Sequence, residues 1–265
     1  METLLRVENL TKRFGGLIAV NDVSMDVNIG EVVGLVGDNG AGKSTLIKMV
    51  AGVYQPDGGE IYFDNQKVAF SHPGEARDAG IETIYQDLAL AENLDVGSNI
   101  FLGREVKTNY LGGLIRTLDR RKMQDESANI LSRLEIEIPS LTQQIRNLSG
   151  GQRQAVAIAR SIYWNARLMI MDEPTAALGV AEQRKVLMLV QTLRDQGVPV
   201  IIISHNMQDV FAVADRIVIL RRGRKVGELI AAKTTPDEVV SLMVGAEAVH
   251  EMGVIPKALD AEDAV

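Results

Sequence analysis

Short runs of β-branched and aliphatic residues alternate along this chain with stretches whose apolar positions recur at helical spacing, and that alternation predicts an α/β fold. Runs at 4–10, 18–20 and 23–27, interrupted at Gly15-Gly16 and Asn21-Asp22, predict a small N-terminal antiparallel sheet. A Val-rich strand over 31–36 enters a glycine-dense segment at 37–42, and a helix over 43–50 follows, ending near Gly52. Gly58-Gly59 and Asp64-Asn65 read as turns around a strand at 60–63, a short helix starts at Pro73, and 81–85 reads as another strand.

The middle changes character. From about 95 to 146 the β-branched runs vanish, and Asp119 stands where it would cap a helix carrying Met123, Ile130, Leu131 and Leu134 on one face. A helical insert over roughly 95–150 is expected. An Ala-rich helix then runs from 148–151 to about 163, and the continuous apolar run 168–171 predicts a parallel strand buried on both faces. A helix over 180–196 stops at Gly197, 199–204 is a second buried strand, and 216–220 pairs with 225–229 across Arg222-Gly223. Thr235-Pro236-Asp237-Glu238 combines a capping box with proline at the first helical position, so a last helix starts there. The expected organisation is one domain over 1–245 and an Ala- and acid-rich tail over 246–265 with no periodic signal. No internal repeat, low-complexity block or heptad pattern stands out.

Composition narrows the classes. The chain has 265 residues, 46% of them hydrophobic, with 28 Lys+Arg against 35 Asp+Glu and a net charge of −7. The absence of cysteine excludes disulfides, thiolate zinc sites and cysteine nucleophiles. The longest strongly apolar run, 198–203, is far short of the ~20 residues that cross a bilayer. The acidic opening Met1-Glu2 does not resemble a secretion signal. A pI near 5.1 argues against a domain built to neutralise nucleic-acid phosphates, so no nucleic-acid partner is expected. The basic cluster Arg221, Arg222, Arg224 and Lys225 flanks a hairpin turn and reads as a solvated face, and His72 and His250 lack partners at metal-ligand spacing.

Three segments carry chemistry. Gly37-Asp38-Asn39-Gly40-Ala41-Gly42-Lys43-Ser44 matches the phosphate-binding loop, between a strand and a helix as that loop requires. Its glycines let backbone N–H groups point at phosphate oxygens, and the helix adds its N-terminal partial charge. Lys43 neutralises the β- and γ-phosphates, Ser44 can ligate Mg²⁺, and Thr45 continues the binding segment. The strand 168–171 ends in Asp172 and Glu173, at the sheet edge where α/β proteins bind ligands. Asp172 is the candidate for the Mg²⁺ shell and Glu173 for polarising the water that attacks the γ-phosphate. Leu148-Ser149-Gly150-Gly151-Gln152 offers a second Gly-rich helix N-terminus about a hundred residues later.

Those last five residues resemble the signature of ATP-binding cassette ATPases, and over about residues 4–230 the chain is similar to that family. The resemblance implies a P-loop NTPase core with a mixed, largely parallel sheet, an N-terminal antiparallel β subdomain and an inserted α-helical subdomain. It implies that Gln86 contacts Mg²⁺ and the attacking water, that His205 is the switch histidine at the γ-phosphate, and that adenine stacks on Phe14. It further implies a head-to-tail dimer, in which Ser149, Gly150, Gly151 and Gln152 of one copy close over ATP held by the other. The expected cofactors are ATP and Mg²⁺. The expected partners are transmembrane permease subunits, a second copy and, indirectly, a solute-binding protein, at the cytoplasmic face of the inner membrane.

One departure stands out: Ala176-Ala177-Leu178-Gly179 replaces the family's usual Ser-Ala-Leu-Asp and removes an Asp that helps couple the two sites. The strings 174–178 and 99–105 are similar to the sugar-importing branch. Its ribose- and xylose-type members generally fuse two cassettes, so this length resembles the single-cassette fructose type. The expected function is ATP-driven import of a small solute, a monosaccharide by this resemblance. The alternative is a soluble cassette ATPase acting on nucleic acid or ribosomes. A P-loop GTPase or kinase lacks its Asn-Lys-x-Asp motif here and leaves 148–152 unexplained.

Overall fold

The structure, a computed structural model, describes residues 2–110 and 115–245. The tail 246–265, with His250, lies outside the described residues. Two long strands open the chain, β1 (Thr3–Phe14) and β2 (Leu17–Asn28), followed by β3 (Val32–Gly37) and α1 (Lys43–Val50). Next come β4 (Gly58–Phe63), β5 (Gln66–Val68), α2 (Pro73–Asp78), β6 (Ile81–Ile84) and α3 (Val96–Ile100). A hairpin, β7 (Lys107–Tyr110) and β8 (Ile115–Leu118), leads to α4 (Arg120–Arg133) and α5 (Gly150–Tyr163). The chain continues as β9 (Leu168–Asp172), α6 (Val180–Asp195), β10 (Val200–Ile203), α7 (Met207–Val213), β11 (Arg216–Arg221), β12 (Arg224–Ile230) and α8 (Pro236–Val244).

A four-stranded antiparallel sheet has the order β2-β1-β4-β5, and a six-stranded sheet has the order β12-β11-β3-β10-β9-β6, parallel except for β12. The parallel strands are apolar on both faces because both faces are covered. Leu168 and Ile170 of β9 pack with β1, β2 and α1, whereas Met169 and Met171 pack with α3, α4 and α5. Period-two alternation thus divides one strand between two cores. Lys43, Asp172 and Glu173 all lie at the carboxyl ends of these strands.

Four expectations change. Asn21-Asp22 does not separate two strands but forms a bulge inside β2: Asp22 takes a left-handed φ of 58°, and its carboxylate accepts from Asn9 Nδ2 at 2.7 Å across the pair. Gly58-Gly59 lies within β4 rather than in a turn. There Gly59, at φ 85°, passes so close to β1 that a Cβ would lie 2.4 Å from Glu8 O. The insert is not purely helical, since β7 and β8 pair before α4, and Thr108, Ile115 and Thr117 are too widely spaced in sequence to register as apolar runs. At α8 only half of the capping box forms: Thr235 Oγ1 accepts from Glu238 N, while the Glu238 carboxylate turns to Thr234. The seven-residue α7, capped by Asn206, gave no periodic signal because it is barely two turns long. Asp119 caps α4 as expected, accepting from Lys122 N at 3.0 Å.

Candidate functional site

The loop between β3 and α1 is shaped by what its glycines must avoid. Gly37 and Gly42 adopt φ of 154° and 102°, and a Cβ on either would lie 2.3 Å from Leu220 O or 2.5 Å from Ala19 O. Gly40, at φ 79°, faces open space. Asp38 and Asn39 are exposed, and Ala41 N–H donates back to Asp38 O at 3.0 Å. Lys43 Nζ donates to Gly37 O at 2.7 Å and Asp38 O at 3.1 Å, so the ammonium folds over the loop. Burial lowers its pKa from the ordinary lysine value, and Glu173, Asp172 and Asp38 pull it back up. Ser44 is exposed and Thr45 half-buried at the start of α1. The β11–β12 turn braces this loop, with Gly223 N–H donating to Ala41 O at 3.0 Å. The basic residues around that turn signalled a solvated hairpin and gave no sign of this support.

The carboxylates arrive from β9. Burial first, and the neighbouring Glu173 second, raise the Asp172 carboxyl above its ordinary range, while Lys43 and Lys48 oppose them. Glu173 sits in the left-handed region at φ 53°, its N–H bonded to Ile203 O at 2.8 Å. Both of its carboxylate oxygens meet His205: Nδ1 lies 2.9 Å from Oε2, and the His205 backbone N–H donates to Oε1 at 3.1 Å. The histidine side chain is 77% exposed against 20% for the glutamate, so the outward face of this pair is imidazole. Gln86, exposed just beyond β6, shares a cleft of about 270 Å³ with Glu173, Gly150, Arg153 and Leu178.

Ser149 caps α5 and completes a capping box, its N–H donating to Gln152 Oε1 at 3.0 Å and its Oγ accepting from Gln152 N at 3.3 Å. Ser149, Gly151 and Gln152 line a separate cleft of about 610 Å³, whereas Gly150 lines the cleft that holds Glu173. The start of α6 and the residue before its cap lean on this end of α5: a Cβ on Gly150 would strike Leu178 Cδ2 at 2.6 Å, and one on Gly151 would lie 3.0 Å from Glu182 Cβ in the first turn. Ser149 first, with the Gly179 and Gly151 backbone, holds the Glu182 carboxyl below its usual range. Gly179 caps α6 without a side-chain hydrogen bond, and a Cβ there would meet nothing within 4 Å. Phe14 is 42% exposed at the end of β1 and stands edge-on to Tyr54 at 5.2 Å, a surface ring rather than a core residue.

Asp172, Ser44 and Gln86 supply a carboxylate, a hydroxyl and an amide, all oxygen donors that suit a hard divalent cation. Among the described residues no three His, Cys, Asp or Glu form a metal cluster. Sequence reading missed Glu182, Gly223 and the buried pair Thr175–Asp209, whose Thr175 Oγ1 donates to Asp209 Oδ2 at 2.6 Å. Their only sequence signal was an unremarkable acid or turn glycine; each acquires its role across more than thirty residues of chain.

A family model described as ABC transporter matches residues 20–176. The xylose/arabinose import ATP-binding protein XylG of Sulfolobus acidocaldarius is 48% identical over 243 residues, 92% of this chain and 94% of that protein. The fructose import ATP-binding protein FrcA of Rhizobium meliloti is 45% identical over 248 residues, 93% of this chain and 95% of that protein. The ribose import ATP-binding protein RbsA 1 of Streptomyces avermitilis is 41% identical, and this chain spans only 45% of its length. Single-cassette length therefore does not single out the fructose type, because the xylose/arabinose relative shares it. Among solved structures, the ADP conformation of an ATP-binding cassette of an ABC transporter superposes with a TM-score of 0.77 at 26% identity, over 94% of this chain and 98% of that one. A dimeric post-hydrolysis cassette bound to ADP and Pi gives 0.70 at 25% identity, over 86% and 99%.

Proposed function

The chain belongs to the ATP-binding cassette transporter family and is an ATPase of it, and from that premise we propose that it energises import of a monosaccharide through separate permease subunits. The sugar class rests on relatives named for xylose/arabinose and fructose import, of which this chain covers 94% and 95%. The alternative of an ATPase acting on nucleic acid or ribosomes draws no support from them. Among the described residues no helix is long and apolar enough to cross a membrane. A membrane partner, met at the cytoplasmic face and served by a solute-binding protein, is thus part of the proposal. The segment 88–97, which follows Gln86, is proposed to border the groove that receives it.

In this reading Phe14 stacks adenine, residues 37–45 wrap the phosphates, and Lys43 leaves its two carbonyl contacts for the β- and γ-oxygens. Glu173 orients and polarises the attacking water, while His205 holds the carboxylate and meets the γ-phosphate. Gln86 lines the same cleft and completes the water site. Asp172, Ser44 and Gln86 would hold Mg²⁺, which when bound neutralises charge on the transferred phosphoryl group. Ser149, Gly150, Gly151 and Gln152 are proposed to close on nucleotide held by a second copy. A helix N-terminus stabilises added negative charge only at short range, and a solved relative is dimeric.

The observation that carries the reading is the Glu173 carboxylate, fixed by two contacts to His205 in the cleft that also holds Gln86. Glu173→Gln is expected to lower ATP turnover by at least about 10²-fold, the scale of a lost general base. The same variant is expected to run as a dimer on size exclusion in ATP. Turnover near that of the unmodified chain would remove Glu173 from this role.

A further inference from the structure

The loops that carry Glu173 and His205 are joined a second time, out of reach of solvent. Thr175 lies two residues beyond Glu173 and is 3% exposed; Asp209 lies four beyond His205, in the first turn of α7, and is 5% exposed. The 2.6 Å bond between them is charge-assisted and sits in a low-dielectric setting that strengthens it. The helix dipole accounts for an acid at the start of α7. It does not account for burying that acid, which costs desolvation, or for aiming a hydroxyl at it.

The loop on the Thr175 side needs such a tether. Glu173 and Ala177, on either side of Thr175, both adopt left-handed φ, 53° and 59°, a conformation an L-residue keeps only where its surroundings impose it. The Asp209 side is anchored. Val210 and Val213 are buried, and α7 packs so closely on β3 that a Cβ on Gly34 would lie 2.6 Å from Val210 Cγ1. Because β3 leads directly into the phosphate loop, Asp209 is referenced to the strand that positions the phosphates.

We propose that Thr175 and Asp209 are positioning residues for ATP hydrolysis. Their buried bond fixes the Glu173 loop against the His205 loop and β3, so that the carboxylate keeps its place relative to the phosphate loop, and neither residue touches substrate. The inference rests on the reading of Glu173 and His205 given above.

The test uses the purified full chain with Mg-ATP, measuring steady-state turnover, affinity for a fluorescent ATP analogue, and thermal unfolding. Thr175→Val removes the donor but leaves a buried carboxylate unpaired; the double variant Thr175→Val/Asp209→Leu removes both polar partners and restores a foldable apolar contact. Both are expected to lower kcat on the order of 10²-fold while analogue affinity stays within about twofold, as a small displacement of one reacting group would. Thr175→Ser keeps the donor and is expected to keep turnover. A double variant that unfolds at the normal temperature and turns over normally would overturn the proposal, and so would a Thr175→Ser variant as slow as Thr175→Val. Glu173→Gln, assayed in parallel, separates the two readings: if it stays active, the underlying assignment has failed rather than the tether.

Discussion

Glu82 shows how much a single side chain can conceal. It occupies β6 four residues before Gln86, is 8% exposed, and its Oε1 has no hydrogen-bond partner in the structure. Burial raises its carboxyl above the ordinary value of 4.5, with Arg77, Arg104 and Arg160 opposing. A carboxyl whose pKa is raised by folding binds its proton more tightly in the folded chain, so its contribution is fully present below 4.5 and is lost as pH rises through the elevated value. Glu82→Gln is therefore expected to melt above the unmodified chain at pH 8, with the gap closing toward pH 4, in melting curves recorded across that range. An unchanged or widening gap on acidification would contradict this. The phosphate-loop residues were legible in sequence because that site is one contiguous loop. Glu82, Glu182 and the Thr175–Asp209 pair were not, because their burial and partners come from distant segments.

At the scale of elements, local rules succeeded where one local interaction decides. Helix α1 begins at Lys43 because Gly42 alone can turn the chain there, and α4 begins after Asp119 because that carboxylate accepts the free Lys122 N–H. Asp119 also accepts from Thr108 of β7 at 2.8 Å, which ties the hairpin to the helix. The Lys122 N–H bond first, then Thr108, hold its carboxyl below the usual range. Asp119→Ala is expected to lower Tm by about 2–4 °C, the scale of a lost cap in a chain this long. Asp119→Asn, which keeps a side-chain oxygen to accept the Lys122 N–H, should recover most of that loss, and equal Tm for all three proteins would exclude a capping role. Local rules failed at 21–22, at 58–59 and at the paired strands 107–110 and 115–118. In each case cross-strand pairing, invisible to a window of sequence, decides whether a polar or glycine-containing stretch bends, bulges or pairs.

At the scale of the molecule, Arg216 joins the two sheets. From β11 its guanidinium reaches Asp26 of β2 at 3.2 Å and Glu31, just before β3, at 2.7 Å, and also pairs with Glu228 of β12. Glu31 is only 7% exposed, so Arg216→Ala would leave a buried carboxylate without its cation, held only by Asn28 N and Nδ2. The expected destabilisation is about 3 kcal/mol in urea unfolding, with turnover per folded molecule retained. A cost below about 1 kcal/mol would show the network to be no more than a surface ion pair.

Read along the chain alone, the sequence is enough for the α/β class, for the order of the long strands and helices outside the 95–150 insert, and for the two Gly-rich helix starts. Those features follow from side-chain periodicity and from backbone geometry that only particular residues adopt. Three-dimensional packing is what sets β3 and β9 on either side of β10, brings Glu173 and His205 to 2.9 Å and tethers Thr175 to Asp209. A parallel sheet brings strand ends together across long connections. The distance between side chains separated by thirty or more residues is therefore set by packing and strand register, which no local pattern encodes.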